Sequence, residues 1–203
     1  MSYKDVATVF SVLLAGFLFD YILRTTIPFD GAGLIASGGG FHVFLLILSI
    51  LYLKQDGCPF TISLISKADW REIGVVVFSL LMIVFLSHFI FKNGEVGQYM
   101  AIGVPIIPAI ISVFVAPITE EVYFRGVLYE QLDQQSTRSL YAMVLSSTIF
   151  SLAHIGSIDP NTFVRQFSII FATGMGYVWL YKQNRNIATP IVAHSAYNLI
   201  LHL

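Results

Sequence analysis

Two adjacent carboxylates and an arginine interrupt an otherwise apolar stretch of the chain, at Glu120, Glu121 and Arg125. An ionised side chain at the centre of a membrane helix costs about 2.5–3.5 kcal/mol, so this position predicts pairing or function. Residues four apart share a helical face, and Glu121 preceding Arg125 is the favourable order for an ion pair. Glu120 points about 100° away from Glu121. It therefore stays available to another partner.

Two further apolar segments each carry groups that could take part in hydrolysis. His154 follows Phe150 by four residues, and His194 precedes Asn198 by four residues. The second spacing places an imidazole and an amide on one helical face. Both groups would stabilise negative charge developing on a scissile carbonyl oxygen. Together with a carboxylate that activates water, they predict peptide hydrolysis.

Other interpretations of these polar groups stay open. The acidic pair and Arg125 could lie on a solvated helix face beyond the membrane, with no catalytic role. Catalysis by a nucleophilic side chain is the less favoured chemistry: Ser151 and Ser195 lie near the histidines without a Gly-x-Ser-x-Gly turn. Cys58 lies in a polar segment far from His154.

A metal-dependent mechanism would use the same residues. Glu120, His154 and His194 could supply three ligands to one divalent metal such as zinc and leave a fourth position for water. The sequence has no His-Glu-x-x-His helix, the pattern of many zinc peptidases. A metal-free glutamate mechanism needs the same side chains, so the sequence leaves both alternatives open.

The composition indicates that membrane helices position these groups. Of 203 residues, 56% are hydrophobic and 11% are charged, against about 25% charged residues in soluble domains. Apolar stretches approach the roughly 20 residues that cross a bilayer. We predict an all-α, polytopic transmembrane bundle, with one domain over 1–203. About seven spans are expected, at 6–23, 38–53, 73–91, 100–118 running on to 132, 139–155, 163–181 and 187–203.

Charge indicates orientation and excludes one class of partner. Lys and Arg are more numerous near the span ends on the N-terminal side, so we expect the N-terminus inside. A net charge of −1 gives no basic surface for nucleic acid. The expected partners are therefore the lipid bilayer and a peptide or protein tail.

Several other positions carry structural expectations. His42 lies near a predicted span end, where we expect contact with lipid headgroups and no ligand role. Gly174 and Gly176 are expected to let the sixth span pack closely against its neighbours. Pro117 should kink its helix and release backbone carbonyls.

The three polar groups, in their order along the chain, resemble the motifs of the CPBP intramembrane proteases, which include the CAAX prenyl endopeptidases and the bacterial Abi proteins. The resemblance covers about 100–203. It rests on Glu120-Glu121-x-x-x-Arg125, Phe150-x-x-x-His154 and His194-x-x-x-Asn198.

This resemblance implies an intramembrane endopeptidase, with a metal as its candidate cofactor. It implies that Glu120 activates water with help from His154. His194 and Asn198 would polarise the scissile carbonyl, and Glu121 and Arg125 would support the site. A prenylated CAAX tail, a signalling-peptide precursor and a bacteriocin are the substrate classes to consider, in a bacterial cytoplasmic membrane.

A non-enzymatic function is the alternative. An immunity protein that binds a peptide toxin, or a small transporter, could use the same polar cluster for binding or proton transfer. Hydrolysis is the preferred hypothesis because Glu120, His154 and His194 together exceed what peptide capture requires.

Overall fold

The computed structural model describes residues 3–26, 31–54, 110–155 and 160–202, with the isolated positions 71, 74 and 78. These parts of the chain are helical and contain no strand. The α-helices are α1 (Tyr3–Thr26), α2 (Gly31–Leu53), α3 (Ala116–Glu121), α4 (Glu130–Gln135), α5 (Ser139–Ala153), α6 (Phe163–Asn184) and α7 (Ala188–His202). Two π-helical segments, π1 (Ile111–Val115) and π2 (Val122–Tyr129), adjoin α3, and a 3-10 turn (Pro160–Thr162) precedes α6.

Helices α1 and α2 form a closely packed hairpin. Glycines permit the approach, since a Cβ on Gly40 would lie 2.9 Å from Leu23 Cδ1 and one on Gly16 would lie 3.2 Å from Phe41 Cε2. Any larger side chain at Gly40 would force Leu23 to move. The hairpin thus depends on small residues where the helices cross, as helix pairs in membranes do.

The hairpin packs against the helix that carries the acidic pair. We call 111–135, which runs continuously through π1, α3, π2 and α4, the motif helix. Val9 and Leu45 are buried in one apolar cluster with Tyr123 and Phe124 of the motif helix. The Tyr123 hydroxyl also donates to the backbone carbonyl of Val9 over 2.9 Å. These contacts fix α2 beside the acidic pair.

Pro117 accounts for a break in the hydrogen-bond pattern of the motif helix. In π1 the Ala116 N–H bonds to the carbonyl of Ile111, five residues back. The same pattern would pair the Ser112 carbonyl with residue 117, but proline has no N–H to donate. The Ser112 carbonyl instead accepts a hydrogen bond from Asn198 Nδ2 over 2.8 Å. Pro117 thus presents a backbone acceptor to α7, in line with the expectation from sequence.

Helices α5 and α6 pack against each other at Gly174. A Cβ there would lie 3.2 Å from both Ser147 Cβ and Phe150 Cδ1, so the predicted close packing at Gly174 is confirmed. Helix α7 begins after Asn186, whose side-chain oxygen accepts the N–H of Ala188 over 3.1 Å. The motif helix contacts α1, α2, α5, α6 and α7. It therefore lies at the centre of the described helices.

The predicted all-α class is confirmed, whereas seven spans are not. The stretch 73–91 falls outside the described residues except at positions 74 and 78. Across the described ranges, no helix combines the length and the apolar character required of a membrane span.

Candidate active site

Glu121 is the centre of a fully buried ionic cluster. Its Oε2 lies 3.0 Å from Arg125 Nε, and Arg125 Nη1 donates to Glu121 Oε1 over 3.0 Å. Neither side chain is exposed. The predicted pair therefore forms, with one hydrogen bond through Nη1 and a close ionic contact at Nε.

Arg125 also links three helices. Its Nη2 donates to the Gly174 carbonyl of α6 over 3.2 Å. The guanidinium lies over the Phe150 ring of α5, 4.5 Å from the ring centroid, and 5.3 Å from that of Tyr177 in α6. Cation–π contacts of this kind help to offset the loss of hydration.

His194 belongs to the Glu121 cluster. Its Nδ1 lies 2.8 Å from Glu121 Oε1, within hydrogen-bond distance. The ring stacks on Tyr177, with centroids 4.7 Å apart and planes 19° apart. Because an ionised carboxylate only accepts hydrogen bonds, Nδ1 carries the proton in this contact. The other ring nitrogen is then the atom that His194 can offer to chemistry.

Glu120, the neighbouring carboxylate, has looser contacts. Its Oε2 lies 3.7 Å from His154 Nε2. This Oε2 atom is buried and makes no direct hydrogen bond within the described part of the chain. This carboxylate and the His154 ring are thus close enough to act on one small group, such as a water molecule, held between them.

A backbone contact fixes the proton on the His154 ring. Helix α5 ends at Ala153, and His154 Nδ1 lies 2.8 Å from the carbonyl of Phe150. A carbonyl can only accept, so Nδ1 carries a proton, and in this tautomer Nε2 is an acceptor. That acceptor faces the acceptor oxygen of Glu120. A group that donates to both atoms satisfies this arrangement, and water can do so.

His42 also lies beside Glu120, contrary to the sequence-based expectation. Its Nε2 is 3.9 Å from Glu120 Oε1, and the side chain is 14% exposed. The headgroup position predicted for this histidine was therefore wrong. The helical spacing could have indicated this position, because it places His42 on the same face as Leu45 and Ser49. Both of these residues are fully buried.

The predicted site residues thus divide between two centres. Glu120 and His154 form one, and Glu121, Arg125 and His194 form the other. Asn198 lies on α7 one turn beyond His194 and bonds to Ser112 of π1.

The metal ligands proposed from sequence do not gather around one point. Within the ranges that the structure describes, no group of three or more His, Cys, Asp or Glu side chains has the arrangement of a metal site. Of the proposed ligands, Glu120 and His154 face each other, whereas His194 Nδ1 is turned to Glu121.

A second ionic cluster lies at the C-terminal end of the motif helix. Arg185 Nη1 donates to Glu130 Oε1 over 2.6 Å and Nη2 donates to Asp133 Oδ2 over 2.7 Å. Partial burial raises the pKa of Asp133, but hydrogen bonds from Arg185 and Ser139 outweigh it, so the pKa is below its ordinary value. Arg185 adopts a left-handed backbone conformation, with φ 55°, where α6 ends.

Comparison with known proteins agrees with the motifs. Residues 102–200 match a family model described as "Type II CAAX prenyl endopeptidase Rce1-like". The part of the chain that carries the three motifs is thus similar to this family. The match spans the motif helix from π1 onward and both histidine motifs, and it leaves out the α1–α2 hairpin.

Two curated proteins of Bacillus subtilis (strain 168) are similar to this chain. "Putative membrane peptidase YdiL" is 26% identical over 118 residues, which are 56% of this chain and 45% of that protein. "Uncharacterized protein YyaK" is 25% identical over 148 residues, which are 67% of this chain and 48% of that protein. The chain thus spans about half the length of the curated relatives it matches. No solved structure matches it.

Proposed function

We propose that the chain is an intramembrane endopeptidase that hydrolyses a peptide bond in a membrane-associated peptide or protein tail, with Glu120 as the base. The observation that carries the proposal is the pair of facing acceptors, Glu120 Oε2 and His154 Nε2, 3.7 Å apart. The Glu121 cluster beside it supports the same assignment: Glu121 is already bound to Arg125 and His194, which leaves Glu120 as the carboxylate available for proton transfer.

The reaction proceeds through one proton relay. A water molecule between Glu120 and His154 gives a proton to Glu120 as its oxygen attacks the scissile carbonyl carbon. The tetrahedral intermediate then collapses, the carbon–nitrogen bond breaks, and Glu120 returns the proton to the leaving amine. His154 keeps the attacking water in line because its own ring is fixed by the Phe150 carbonyl.

His194 and Asn198 are the proposed stabilisers of the oxyanion. With Nδ1 bonded to Glu121, an imidazolium at His194 would donate its Nε2–H to the oxyanion. Asn198 gives one amide hydrogen to the Ser112 carbonyl, and a side-chain amide carries a second. Both groups are held before the substrate arrives, which makes them effective for catalysis.

A divalent metal stays part of the hypothesis. The acceptor atoms of Glu120 and His154 are of the right chemical type, and His194 is the third ligand proposed from sequence. When bound, a metal would lower the pKa of the attacking water and polarise the scissile carbonyl. Adding and removing zinc in the cleavage assay tests whether cleavage depends on a metal.

We place the peptidase in a membrane, with the N-terminus inside. Large apolar side chains are exposed on several helices, among them Leu14 at 70% and Val164 at 75%. Side chains of this kind suit contact with lipid. Prenylated CAAX tails are one candidate substrate class. Precursors of signalling peptides are a second, and bacteriocins themselves are a third.

The decisive experiment compares peptides from membranes and secretions of cells that carry the wild type or Glu120→Gln at equal protein levels. Glutamine keeps the size of the side chain and removes the base. New peptide termini should depend on the wild type and fall by about 100- to 10,000-fold in the variant. Their sequences would identify the substrate.

Equal peptide pools would reject the peptidase proposal. If a phenotype of the wild type also survived Glu120→Gln, a binding or transport function would replace it. Val43→Ala, at an exposed position of α2, is the matched control that should release the same termini as the wild type.

A further inference from the structure

His42 occupies a position that the three motifs do not explain. It lies on α2, outside the part of the chain that matches the family model. Its Nε2 is 3.9 Å from Glu120 Oε1, while His154 Nε2 is 3.7 Å from Oε2. The two imidazoles thus face the two oxygens of one carboxylate.

Packing of α2 holds His42 in this place. Leu45, Ser49 and Tyr52 continue the same helical face, and all three are buried. The preceding turn packs closely on the motif helix, since a Cβ on Gly39 would lie 3.3 Å from Ile111 Cδ1 of π1. The side chain of His42 is therefore directed at the motif helix by the whole hairpin.

Burial of His42 leaves one of its two ring nitrogens unsatisfied within the described residues. Its Nδ1 is buried and makes no hydrogen bond there. A buried polar atom without a partner costs about 1–3 kcal/mol, so an apolar residue would stabilise this face better. A histidine that serves only packing would be a poor choice here.

We propose that His42 is a positioning residue of the active site, which holds the Glu120 carboxylate from the side opposite His154. In a neutral ring with its proton on Nε2, His42 donates toward Oε1 and leaves Oε2 to accept the proton of water. Catalytic contacts are often long before substrate binds and shorten in the complex, so 3.9 Å is compatible with this role. The inference rests on the proposed function.

The test uses three substitutions at position 42 in the full chain, with the wild-type-dependent peptide termini as the readout. His42→Phe keeps a ring without polar atoms, His42→Ala removes the ring, and His42→Gln restores an N–H donor at similar reach. We expect the yield of termini to fall by about 10- to 100-fold in the first two, the size of a hydrogen bond to a charged group. Gln should recover most of the loss.

Ser49→Ala is the matched packing control, because Ser49 is buried on the same face and bonds to the Leu45 carbonyl. It should release termini at the wild-type rate per folded molecule. Wild-type yields from His42→Phe, or equal losses in His42→Phe and His42→Gln, would overturn the positioning role while Glu120→Gln still abolished cleavage. Cleavage that persisted in Glu120→Gln would instead overturn the proposed function, and the inference with it.

Discussion

Glu120 and Glu121 are neighbours in sequence and differ completely in their surroundings. Glu121 meets Arg125 through two contacts of 3.0 Å and His194 through one of 2.8 Å. Glu120 has imidazoles at 3.7 and 3.9 Å and no direct hydrogen bond at Oε2 within the described residues. Glu121 is thus paired with a full positive charge and hydrogen-bonded through Oε1, whereas Glu120 retains room for a reacting group.

The difference indicates how a buried site can be both stable and reactive. A carboxylate in low dielectric is costly unless it is paired and hydrogen-bonded. Glu121 meets this requirement and joins the motif helix to α5, α6 and α7 through its partners. Glu120 can then remain under-coordinated because the surrounding helices are already fixed. Measurements of stability and of cleavage on variants can separate the stabilising Glu121 centre from the reactive Glu120 centre.

Arg125→Ala should have the largest effect on folding. It would leave Glu121 buried without its main partner, and breaking a buried pair costs about 3–5 kcal/mol. We expect little folded protein, measured as the monodisperse fraction and the unfolding temperature in detergent. Arg138→Ala is the control, because Arg138 is exposed. Normal unfolding of Arg125→Ala would show that Glu121 does not need its charge partner.

The two motif histidines should respond differently to alanine. His194→Ala removes a hydrogen bond to a buried carboxylate and should lower the free energy of unfolding by about 1.5–3 kcal/mol. His154→Ala should abolish cleavage with little change in stability, since His154 is 29% exposed and follows the end of α5. Measuring unfolding and cleavage on both variants gives the comparison. Equal losses of stability would remove the distinction between the centres.

Gly174→Ala tests the packing that carries Arg125. A Cβ at Gly174 meets Ser147 and Phe150 at 3.2 Å, and overpacking costs about 1–3 kcal/mol. Alanine recovers about 0.5–1 kcal/mol through helix propensity, so a net loss of about 0.5–2 kcal/mol is expected in chemical unfolding. Gly126→Ala is the control, with nothing within 4 Å of the added Cβ. Greater harm from Gly126→Ala than from Gly174→Ala would contradict the packing assigned to α5 and α6.

The smallest effect is expected at the partly exposed ion pair. The pKa of Asp133 is lowered in the folded state, so its stabilising contribution is present above its unfolded pKa of about 3.9 and is lost as pH falls through the lower folded value. Asp133→Asn should therefore cost less than about 1 kcal/mol at pH 7. The stabilities of both proteins should converge as pH falls below the folded pKa of Asp133. A difference in stability between the two proteins that grew as pH fell would contradict the lowered pKa of Asp133.

Local patterns predicted much of the fold and half of the site contacts. The apolar stretches predicted helices close to those observed, and the spacing of Glu121 and Arg125 predicted their pair because both lie on one helix. The contacts of His42 with Glu120 and of His194 with Glu121 join residues more than 70 positions apart. Such contacts depend on how the helices are rotated, and no local spacing gives that rotation.

The sequence by itself determined the helical class, the polar motifs and the ion pair within one helix, because hydrophobic length and the helical period are local properties. Only the tertiary structure decided which histidine faces which carboxylate. Glu120 and Glu121 point about 100° apart, so the rotation of the motif helix decides which side chains each of them meets. Glycines at 39, 40 and 174 set how closely the helices approach, and that approach assigns one glutamate to stability and leaves the other for chemistry.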